Sequence, residues 1–317
     1  MSRQPSLDII IVNWNTGPLI RDCLKSITQA RGEGFHLDRV VVVDNNSVDG
    51  SVEGLEAVSD QPISVIHNDT NRGFAAACNQ GAAGTQADYL LFLNPDTRVF
   101  PDSLWSPLEF LEQEKNSRVG ICGVRHVDDS GAFSTSCAHF PTLRIFFGQM
   151  TGLSWILPQW FPPHLMSESE CLESREVDQI IGAFFLVRRS LFEALGGFDP
   201  RFFVYFEEVD FSLRARQAGY RSFYLATATA YHKGGGSSQQ AKAARLFYSL
   251  RSRLLYGFKH YSWLGAFTLA LLTLTVEMAA RLLAALGSMS LSKLVETLQG
   301  YIALFVCLCT KRLRWRS

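Results

Sequence analysis

The chain has 317 residues, its 30 Lys and Arg balance its 30 Asp and Glu, and 47% of it is hydrophobic. This length fits one large α/β domain with additions, or two smaller domains. Zero net charge provides no global basic field, so nucleic acid is excluded as the expected partner. Seven scattered cysteines without a CxxC spacing predict reduced cytosolic thiols and no disulfide framework or zinc site.

Short apolar runs at residues 7–15, 39–44, 63–69 and 88–93 predict buried strands. Helical spacing of apolar residues separates them at 18–30 and 71–84. Later segments predict a helix at 101–115, strands at 119–124 and 177–189, helices at 190–197 and 207–218, and a strand ending at 232. This alternation predicts right-handed βαβ units in a mostly parallel, doubly wound sheet.

Polar residues follow several of the predicted strands, at 13–15, 44–47, 71–73 and 94–96. Ligands of such sheets bind outside the carboxyl ends of the strands, so these residues predict a site there. In the segment Asn94-Pro95-Asp96, two oxygen-bearing side chains follow a strand and suit a hard divalent cation. The alternative for this tripeptide is an ordinary turn, because Asn, Pro and Asp are common turn residues.

Two stretches differ from this pattern. Residues 126–176 contain Ser, Gly, Pro and aromatic patches and predict a mobile loop or a membrane-facing excursion. From residue 241 the pattern is helical, with apolar runs at 263–276 and 301–309 and a basic end, KRLRWRS. The longer run is short of the roughly 20 residues of a membrane span. We interpret this third as amphipathic helices on or partly in a membrane; the alternative is a soluble helical cap.

Six segments resemble a known family when taken in their order along the chain. They are VDNNSVDGS, NRGFAAACNQG, LFLNPD, IIGAFFLVRR, GGFDPRFFVYFEEVDFSLR and YHKGGGSS. Together, over roughly residues 7–259, they resemble the family-2 glycosyltransferases of the Rossmann-like GT-A fold, most closely the bacterial rhamnosyltransferase-like branch. The resemblance implies a catalytic domain at 1–240, with a nucleotide-sugar half at 1–125 and an acceptor half at 126–240, followed by membrane-associated helices at 241–317.

The resemblance assigns a group of residues to the nucleotide. Asp44 matches the residue that binds the nucleobase, and its alternative role is a helix N-cap. Asn71, Gly73 and Asn79 match the segment lining the nucleotide pocket, with helix packing as the alternative, nearly equal in weight for Asn79. The remaining predicted nucleotide-binding residues are Asn13 and Asn15 at the end of the first strand.

The same resemblance implies a metal site. The segment from Asn94 to Asp96 matches the Asp-x-Asp motif of the family with Asn in first place, so Asp96 is the main carboxylate and Asn94 a neutral oxygen donor. His232 matches a further ligand, and its alternative is a loop histidine bonded to backbone. The implied cofactor is a divalent cation, Mn²⁺ or Mg²⁺, and an imidazole ligand favours Mn²⁺.

Catalysis and acceptor binding are assigned to the second half. Glu207 and Glu208 match the acidic pair of the family, which makes Glu208 the candidate base and Asp210 the runner-up. The alternative is a solvated helix N-terminus, favoured by the helix dipole. We expect Arg214 to pair with Asp210. The predicted acceptor residues are Gly182 and Ala183 in a small-residue turn, and Phe203 and Tyr205 in the pocket wall.

The implied function is inverting transfer of a sugar from a nucleoside diphosphate, with dTDP-L-rhamnose favoured. The implied acceptor is a polyprenyl-diphosphate-linked saccharide, used at the cytoplasmic face of the inner or plasma membrane in cell-surface polysaccharide synthesis. Alternatives are a UDP-sugar transferase of the same fold and a non-catalytic scaffold that binds nucleotide sugar. A Rossmann oxidoreductase is excluded, because NWNTGP stands where GxGxxG would follow the first strand.

Overall fold

The computed structural model describes residues 3–30, 32, 34–58, 63–234 and 242–310. These residues form two compact units. The first is built from segments within 1–139, 165–200 and 207–237, and the second from segments within 140–164, 201–206 and 238–317. The basic end of the chain, residues 311–317, lies outside the described residues.

The elements follow the predicted alternation of strands and helices. The strands are β1 (Ser6–Asn13), β2 (His36–Asp44), β3 (Ile63–His67), β4 (Tyr89–Leu93), β5 (Thr97–Val99), β6 (Val119–Val127), β7 (Phe133–Ser134), β8 (Cys137–Ala138), β9 (Arg175–Val177), β10 (Gln179–Ile180), β11 (Phe184–Arg188) and β12 (Arg221–His232). The helices are α1 (Leu19–Gln29), α2 (Phe74–Ala82), α3 (Pro101–Glu112), α4 (Leu143–Thr151), α5 (Leu153–Ile156), α6 (Arg189–Ala194), α7 (Glu207–Gln217), α8 (Lys242–His260), α9 (Trp263–Leu272), α10 (Met278–Gly287) and α11 (Leu291–Cys309).

The main sheet of the first unit has the order β3-β2-β1-β4-β11-β6-β12-β5. Neighbours among β3, β2, β1 and β4 pair in parallel, β11 runs antiparallel between β4 and β6, and β12 runs parallel to β6. The predicted mostly parallel sheet flanked by helices is therefore confirmed. The carboxyl ends of β1, β2 and β4 lie at one edge. Predicted nucleotide residues follow β1 and β2 there, and the predicted metal residues Asn94 and Asp96 follow β4.

Both faces of this sheet are buried. In β1, Ile9 and Ile11 pack into one apolar cluster, whereas Ile10 and Val12 pack into another on the opposite face. Successive side chains of a strand point to opposite faces, so an unbroken apolar run needs a cover on each side. The helices that connect the parallel strands supply that cover.

The segment 126–176 is more regular than predicted. It holds β7, β8, α4 and α5, and the buried Cys137 and Cys171 belong to the core of the first unit. Its short elements are held by hydrogen bonds to distant residues; for example, Ile181 N donates to Ser136 O at 3.0 Å. Short elements therefore stand where a loop was predicted, because elements of two to nine residues held by distant partners have no readable periodicity. The alternative of a membrane-facing excursion stays a prediction. The predicted strand 177–189 is also divided, among the end of β9, β10 and β11.

The second unit is helical, with a core that includes Leu250, Leu254 and Leu304. Its buried Arg253 pairs with Glu277 at 2.8 Å. A π-helical turn, Thr273–Glu277, joins α9 to α10, so the predicted short apolar run belongs to a helix of 25 residues. By length and composition, Trp263–Gly287 and Leu291–Cys309 are each apolar enough to cross a membrane.

Candidate active site

The ends of β1 and β2 carry two predicted nucleotide residues, and the structure brings them together. Asn13 pairs in register with Asp44, and its Nδ2 donates to Asp44 Oδ1 at 2.9 Å and to Ser51 Oγ at 2.9 Å. Asp44 is buried, and its Oδ2 accepts from the backbone N–H of Ser47 at 3.2 Å. The carboxylate therefore closes a turn instead of capping a helix, and it is held in one orientation.

Asn15 joins the loops that follow these strands. Its backbone N–H donates to Ser47 Oγ at 2.9 Å, and its Oδ1 accepts from the N–H of Val48 at 2.8 Å. Asn15 and Asn46 both have left-handed backbone, with φ of 50° and 65°. Asn tolerates that region better than most residues, which explains why an Asn stands in the tight turn that follows each of β1 and β2.

Two of the three remaining nucleotide candidates extend this cluster. Gly73 precedes α2 with φ of 84°, and its N–H donates to Asn71 Oδ1 at 2.9 Å. The Gly73 carbonyl accepts from Asn45 Nδ2 at 3.2 Å, which ties this loop to the end of β2.

Asn79 is placed differently. Its Nδ2 donates to Phe198 O at 2.7 Å, and its Oδ1 accepts from Phe198 N at 2.9 Å. Both polar ends of the amide are thus used to hold the segment after α6, as the packing alternative predicts. We therefore correct its assignment and leave Asn79 out of the proposed nucleotide pocket.

The segment after β4 is a turn, and its Asp96 lies close to His232. Thr97 N donates to Asn94 O at 3.1 Å, so the turn alternative holds for the backbone. Asp96 Oδ1 lies 3.5 Å from His232 Nε2, with side-chain exposures of 9% and 14%. His232 is placed by β12, where it pairs in register with Thr97 of β5. Sheet pairing therefore brings together two residues 136 positions apart.

A carboxylate oxygen and an imidazole nitrogen at this distance fit a divalent cation, and Mn²⁺ accepts this mixed set well. Within the described part of the chain, no group of three or more His, Cys, Asp or Glu side chains could hold a metal ion. The protein would thus supply Asp96 and His232, and other oxygens would complete the coordination. Asn94 is partly exposed, and its backbone N–H donates to Ala183 O at 3.0 Å.

Sequence reasoning missed His126, which lies beside this pair. Its ring centroid is 5.5 Å from that of His232, and its Nδ1 lies 3.1 Å from Thr135 O. Burial, with a smaller effect of His232, lowers the pKa of His126 to about 4. Its Nε2 has no hydrogen-bond partner among the residues described. No sequence signal marked it, because the strand was predicted to end two residues earlier and the strand pairing is long-range.

The candidate base lies on α7. A β-carbon at Gly182 would be 3.9 Å from Cδ of Glu208, so the predicted acceptor turn contacts the predicted base. The Oε2 atoms of Glu207 and Glu208 are inaccessible to solvent and have no hydrogen-bond partner in the described part of the chain. These acids do not form a solvated helix end, contrary to the alternative interpretation.

Burial raises the pKa of Glu208 to about 7. Burial, and then the charge of Glu208, raise the pKa of Glu207 well above its ordinary value. A carboxyl group with a pKa near neutrality suits proton transfer at physiological pH.

Asp210 has a different environment. Arg214 Nε donates to its Oδ2 at 2.8 Å, which is the pair expected from their spacing on the helix. Arg214 also donates to the carbonyls of Leu195 and Gly197, each at 2.8 Å. A carboxylate neutralised in this way is a weak candidate for the base, and the geometry favours Glu208.

The turn formed by Gly182 and Ala183 links the Asp96 segment to the candidate base Glu208. The Ala183 carbonyl accepts from Asn94 N at 3.0 Å and from Thr97 Oγ1 at 3.3 Å, while the preceding Gly182 contacts Glu208. The short segment between β10 and β11 therefore holds the residues that flank Asp96, through the Ala183 carbonyl, and lies beside the candidate base, through Gly182.

The other predicted acceptor residues, Phe203 and Tyr205, belong to the second unit. Phe203 stacks on Tyr248, with ring centroids 4.4 Å apart and planes inclined by 13°. Tyr205 has φ of 69°, a strained value for an aromatic residue. Their part in acceptor binding stays a prediction.

A family model described as "Glycosyl transferase family 2" matches residues 8–196, more than half of the chain. The chain belongs to glycosyl transferase family 2. The matched residues include Asp44, Asp96 and Gly182, but they end before Glu208 and His232. The case for these last two in this family-2 protein therefore depends on the geometry described above.

Two relatives are similar over most of their length. The N-acetylglucosaminyl-diphospho-decaprenol L-rhamnosyltransferase of Mycobacterium tuberculosis (strain CDC 1551 / Oshkosh) is 28% identical over 271 residues, which cover 81% of this chain and 86% of the relative. The rhamnosyltransferase WbbL of Escherichia coli K12 is 26% identical over 255 residues, covering 78% and 91%. The predicted resemblance to rhamnosyltransferases is thus confirmed.

Solved structures share the fold. The mannosyltransferase PcManGT from Pyrobaculum calidifontis, in complex with GDP-Man and Mn²⁺, aligns with a TM-score of 0.56 and 18% identity, over 96% of this chain and 87% of that one. Staphylococcus aureus TarS 1–349, in complex with UDP-GlcNAc, aligns with a TM-score of 0.55 and 15% identity, over 94% and 79%. At this identity the likeness shows the fold alone.

Proposed function

We propose that this family-2 protein is an inverting glycosyltransferase that moves L-rhamnose from dTDP-L-rhamnose to a hydroxyl group of a polyprenyl-diphosphate-linked saccharide. The observation that carries the proposal is the carboxyl group of Glu208 beside Gly182: its Oε2 is inaccessible to solvent and has no hydrogen-bond partner among the described residues. Gly182 precedes Ala183, whose carbonyl holds the residues flanking Asp96. The choice of sugar and acceptor is supported by the two relatives, whose names are those of rhamnosyltransferases, one acting on a decaprenol-linked sugar.

The residues at the ends of β1 and β2 bind the nucleotide. Asp44 is oriented by Asn13 and Ser47, and a carboxylate in this position can accept a hydrogen bond from a pyrimidine N–H. Asn15, Asn71 and Gly73 shape the loops around it. A buried acceptor of fixed orientation selects a base that offers a donor, which fits uridine or thymidine.

Glu208 takes the proton of the acceptor hydroxyl as that oxygen attacks the anomeric carbon from the face opposite the diphosphate. Sugar hydroxyls are very weak acids, so removal of the proton must accompany attack, from about 3 Å away. Gly182 leaves room for the acceptor beside the carboxyl group, because it has no side chain there. A single displacement inverts the anomeric centre and needs no covalent enzyme intermediate.

Asp96 and His232 would hold a divalent cation beside the diphosphate, with the oxygens of the donor completing its coordination. When bound, this cation offsets the charge that develops on the leaving group. With one protein carboxylate at the site, we expect cation and nucleotide sugar to bind cooperatively.

A lipid-linked acceptor requires access to a membrane, and the second unit suits this. Leu264 and Leu271 of the 25-residue helix are largely exposed, at 77% and 64%. Exposed apolar side chains along helices of this length fit a lipid surface or a span. We propose that this unit attaches the enzyme to the cytoplasmic face of the membrane.

A donor screen tests the proposal. The full chain, purified in detergent, is incubated with radiolabelled dTDP-L-rhamnose, UDP-GlcNAc or GDP-mannose and with polyprenyl-diphosphate-GlcNAc. We expect label in the lipid fraction from dTDP-L-rhamnose, with inverted anomeric configuration, and none with Glu208→Gln. Transfer from a UDP sugar alone would reassign the donor. Binding of nucleotide without transfer from any donor would identify a scaffold instead of an enzyme.

A further inference from the structure

We propose that His126 is a positioning residue for the cation site, which accepts a hydrogen bond from Nδ1–H of His232 when a cation occupies Nε2 of that residue. The inference rests on the proposed function, since it assumes that His232 and Asp96 hold the cation. His126 lies outside every sequence motif that pointed to the site.

The backbone contacts of His126 define its tautomer. Its Nδ1 is 3.1 Å from the carbonyl oxygen of Thr135, which can only accept, so Nδ1 must carry the proton. The backbone N–H of His126 also donates to Ser136 Oγ at 2.8 Å. With the ring held at Nδ1, Nε2 presents a lone pair. This buried lone pair has no hydrogen-bond partner among the described residues.

Strand pairing places the ring of His126 next to that of His232. His126 of β6 is in register with Ala230 of β12, two residues before His232, so the two rings emerge on the same face of the sheet. Their centroids are 5.5 Å apart. His126 is completely buried, whereas the His232 side chain is 14% exposed and faces Asp96 through Nε2. His126 is therefore the more deeply buried of the two rings, and Nε2 of His232 is the nitrogen that faces Asp96.

The chemistry of a metal-bound histidine supplies the reason for the contact. Coordination through Nε2 requires the proton of the ring at Nδ1, and that N–H needs an acceptor in a buried site. An unprotonated Nε2 of His126 is such an acceptor. A small rotation of the two neighbouring rings would complete a chain of hydrogen bonds, from His232 Nδ1–H to His126 and from His126 Nδ1–H to Thr135 O. That chain would fix the plane of the ligand ring.

Two substitutions separate this role from mere anchoring. His126→Gln places an amide oxygen near the position of Nε2 but gives up the hydrogen bond to Thr135. His126→Asn keeps a donor near the position of Nδ1 but does not reach the position of Nε2. The measurement is Mn²⁺ binding by the full chain in the presence of dTDP, from the EPR signal of free Mn²⁺, with thermal unfolding of each variant recorded alongside.

We expect His126→Asn to weaken Mn²⁺ binding by about 10- to 100-fold, the usual effect of removing a partner of a metal ligand, while His126→Gln stays close to wild type. The reverse order, or normal binding by both variants, would overturn the inference. If a variant does not fold, ¹⁵N-histidine NMR of the wild-type chain with Mg²⁺ and dTDP decides. A proton on Nε2 of His126 in that spectrum would overturn it equally.

Asp96→Ala serves as the control for the underlying assumption. If wild type binds Mn²⁺ with dTDP and Asp96→Ala does not, the cation site stands, and the two His126 variants test the inference alone. If wild type and Asp96→Ala bind Mn²⁺ equally, the cation part of the proposed function fails first, and the role of His126 fails with it. The donor screen remains an independent test of transfer.

Discussion

Glu208 packs against Gly182, at a distance where a β-carbon on the glycine would lie 3.9 Å from the carboxyl carbon. The two residues come from α7 and from the break between β10 and β11, and the glycine leaves one side of the carboxyl group free of side-chain atoms. A half-buried acid whose carboxyl group faces such a gap is suited to meet a substrate hydroxyl.

Glu208→Gln is expected to lower kcat by about 10²- to 10⁴-fold, the usual contribution of a general base, because the amide cannot take a proton. Affinity for dTDP should change little, since the nucleotide residues lie at β1 and β2. Initial rates and equilibrium binding of dTDP measure the two effects. Glu193→Gln, at an exposed residue of α6, is the matched control. Turnover near that of the control would transfer the role of base to another group.

The rate should depend on pH through Glu208. Burial raises the pKa of this group to about 7, so below that value the base is protonated and inactive. We therefore expect kcat/KM to rise about tenfold per pH unit below pH 7 and to reach a plateau above it. Initial rates from pH 5.5 to 9 give the profile. A flat profile over this range would contradict the assignment.

Glu207 should make the protein less stable at alkaline pH. Its pKa in the folded state lies well above the ordinary value of 4.5. The stabilisation linked to its retained proton is therefore complete below pH 4.5 and is lost as the pH rises through the folded pKa. Glu207→Gln should raise the Tm at pH 8 by at least about 2 °C and change it less at pH 5. An equal shift at both pH values, or none, would argue against a buried ionisable Glu207.

Chelation should stop the reaction. We expect EDTA to abolish transfer and Mn²⁺ to restore it better than Mg²⁺, because His232 offers a nitrogen ligand. Asp96→Asn should lower kcat/KM by roughly 100-fold or more at fixed Mn²⁺, by analogy with the loss of one stabilising group at a developing anion. Asp102→Asn on the surface of α3 is the control. Undiminished activity in EDTA would remove the cation from the mechanism.

Membrane attachment should depend on the exposed leucines of the second unit. A charged residue at the centre of a membrane helix costs about 2.5 kcal/mol or more, so the double variant Leu264→Asp, Leu271→Asp should lower vesicle binding by at least about tenfold. Flotation with anionic vesicles measures it. Val48→Asp, at a residue of the first unit that is 86% exposed, controls for added charge. Equal flotation of both variants would place the membrane contact elsewhere.

The amino-acid sequence by itself determined the parallel half of the sheet and most of the candidate residues. Unbroken apolar runs ending in Asn or Asp predict buried strands with polar carboxyl ends, and the structure has β1, β2 and β4 in those places. Such patterns are local, since they follow from the period of a strand and the conformational preferences of a few turn residues. The six segments that resemble the glycosyltransferase family, taken in their order, then indicated which strand ends form the candidate site.

The tertiary structure alone decided which candidates meet. Pairing of β12 with β5 and β6 brings His232 to Asp96 and places His126 beside it, although more than 100 residues separate His232 from either partner. It also assigns Asn79 to the backbone of Phe198 and removes Oε2 of Glu208 from solvent. These facts depend on the register between distant strands and on the desolvation of side chains by packing, neither of which is a property of a local stretch of sequence.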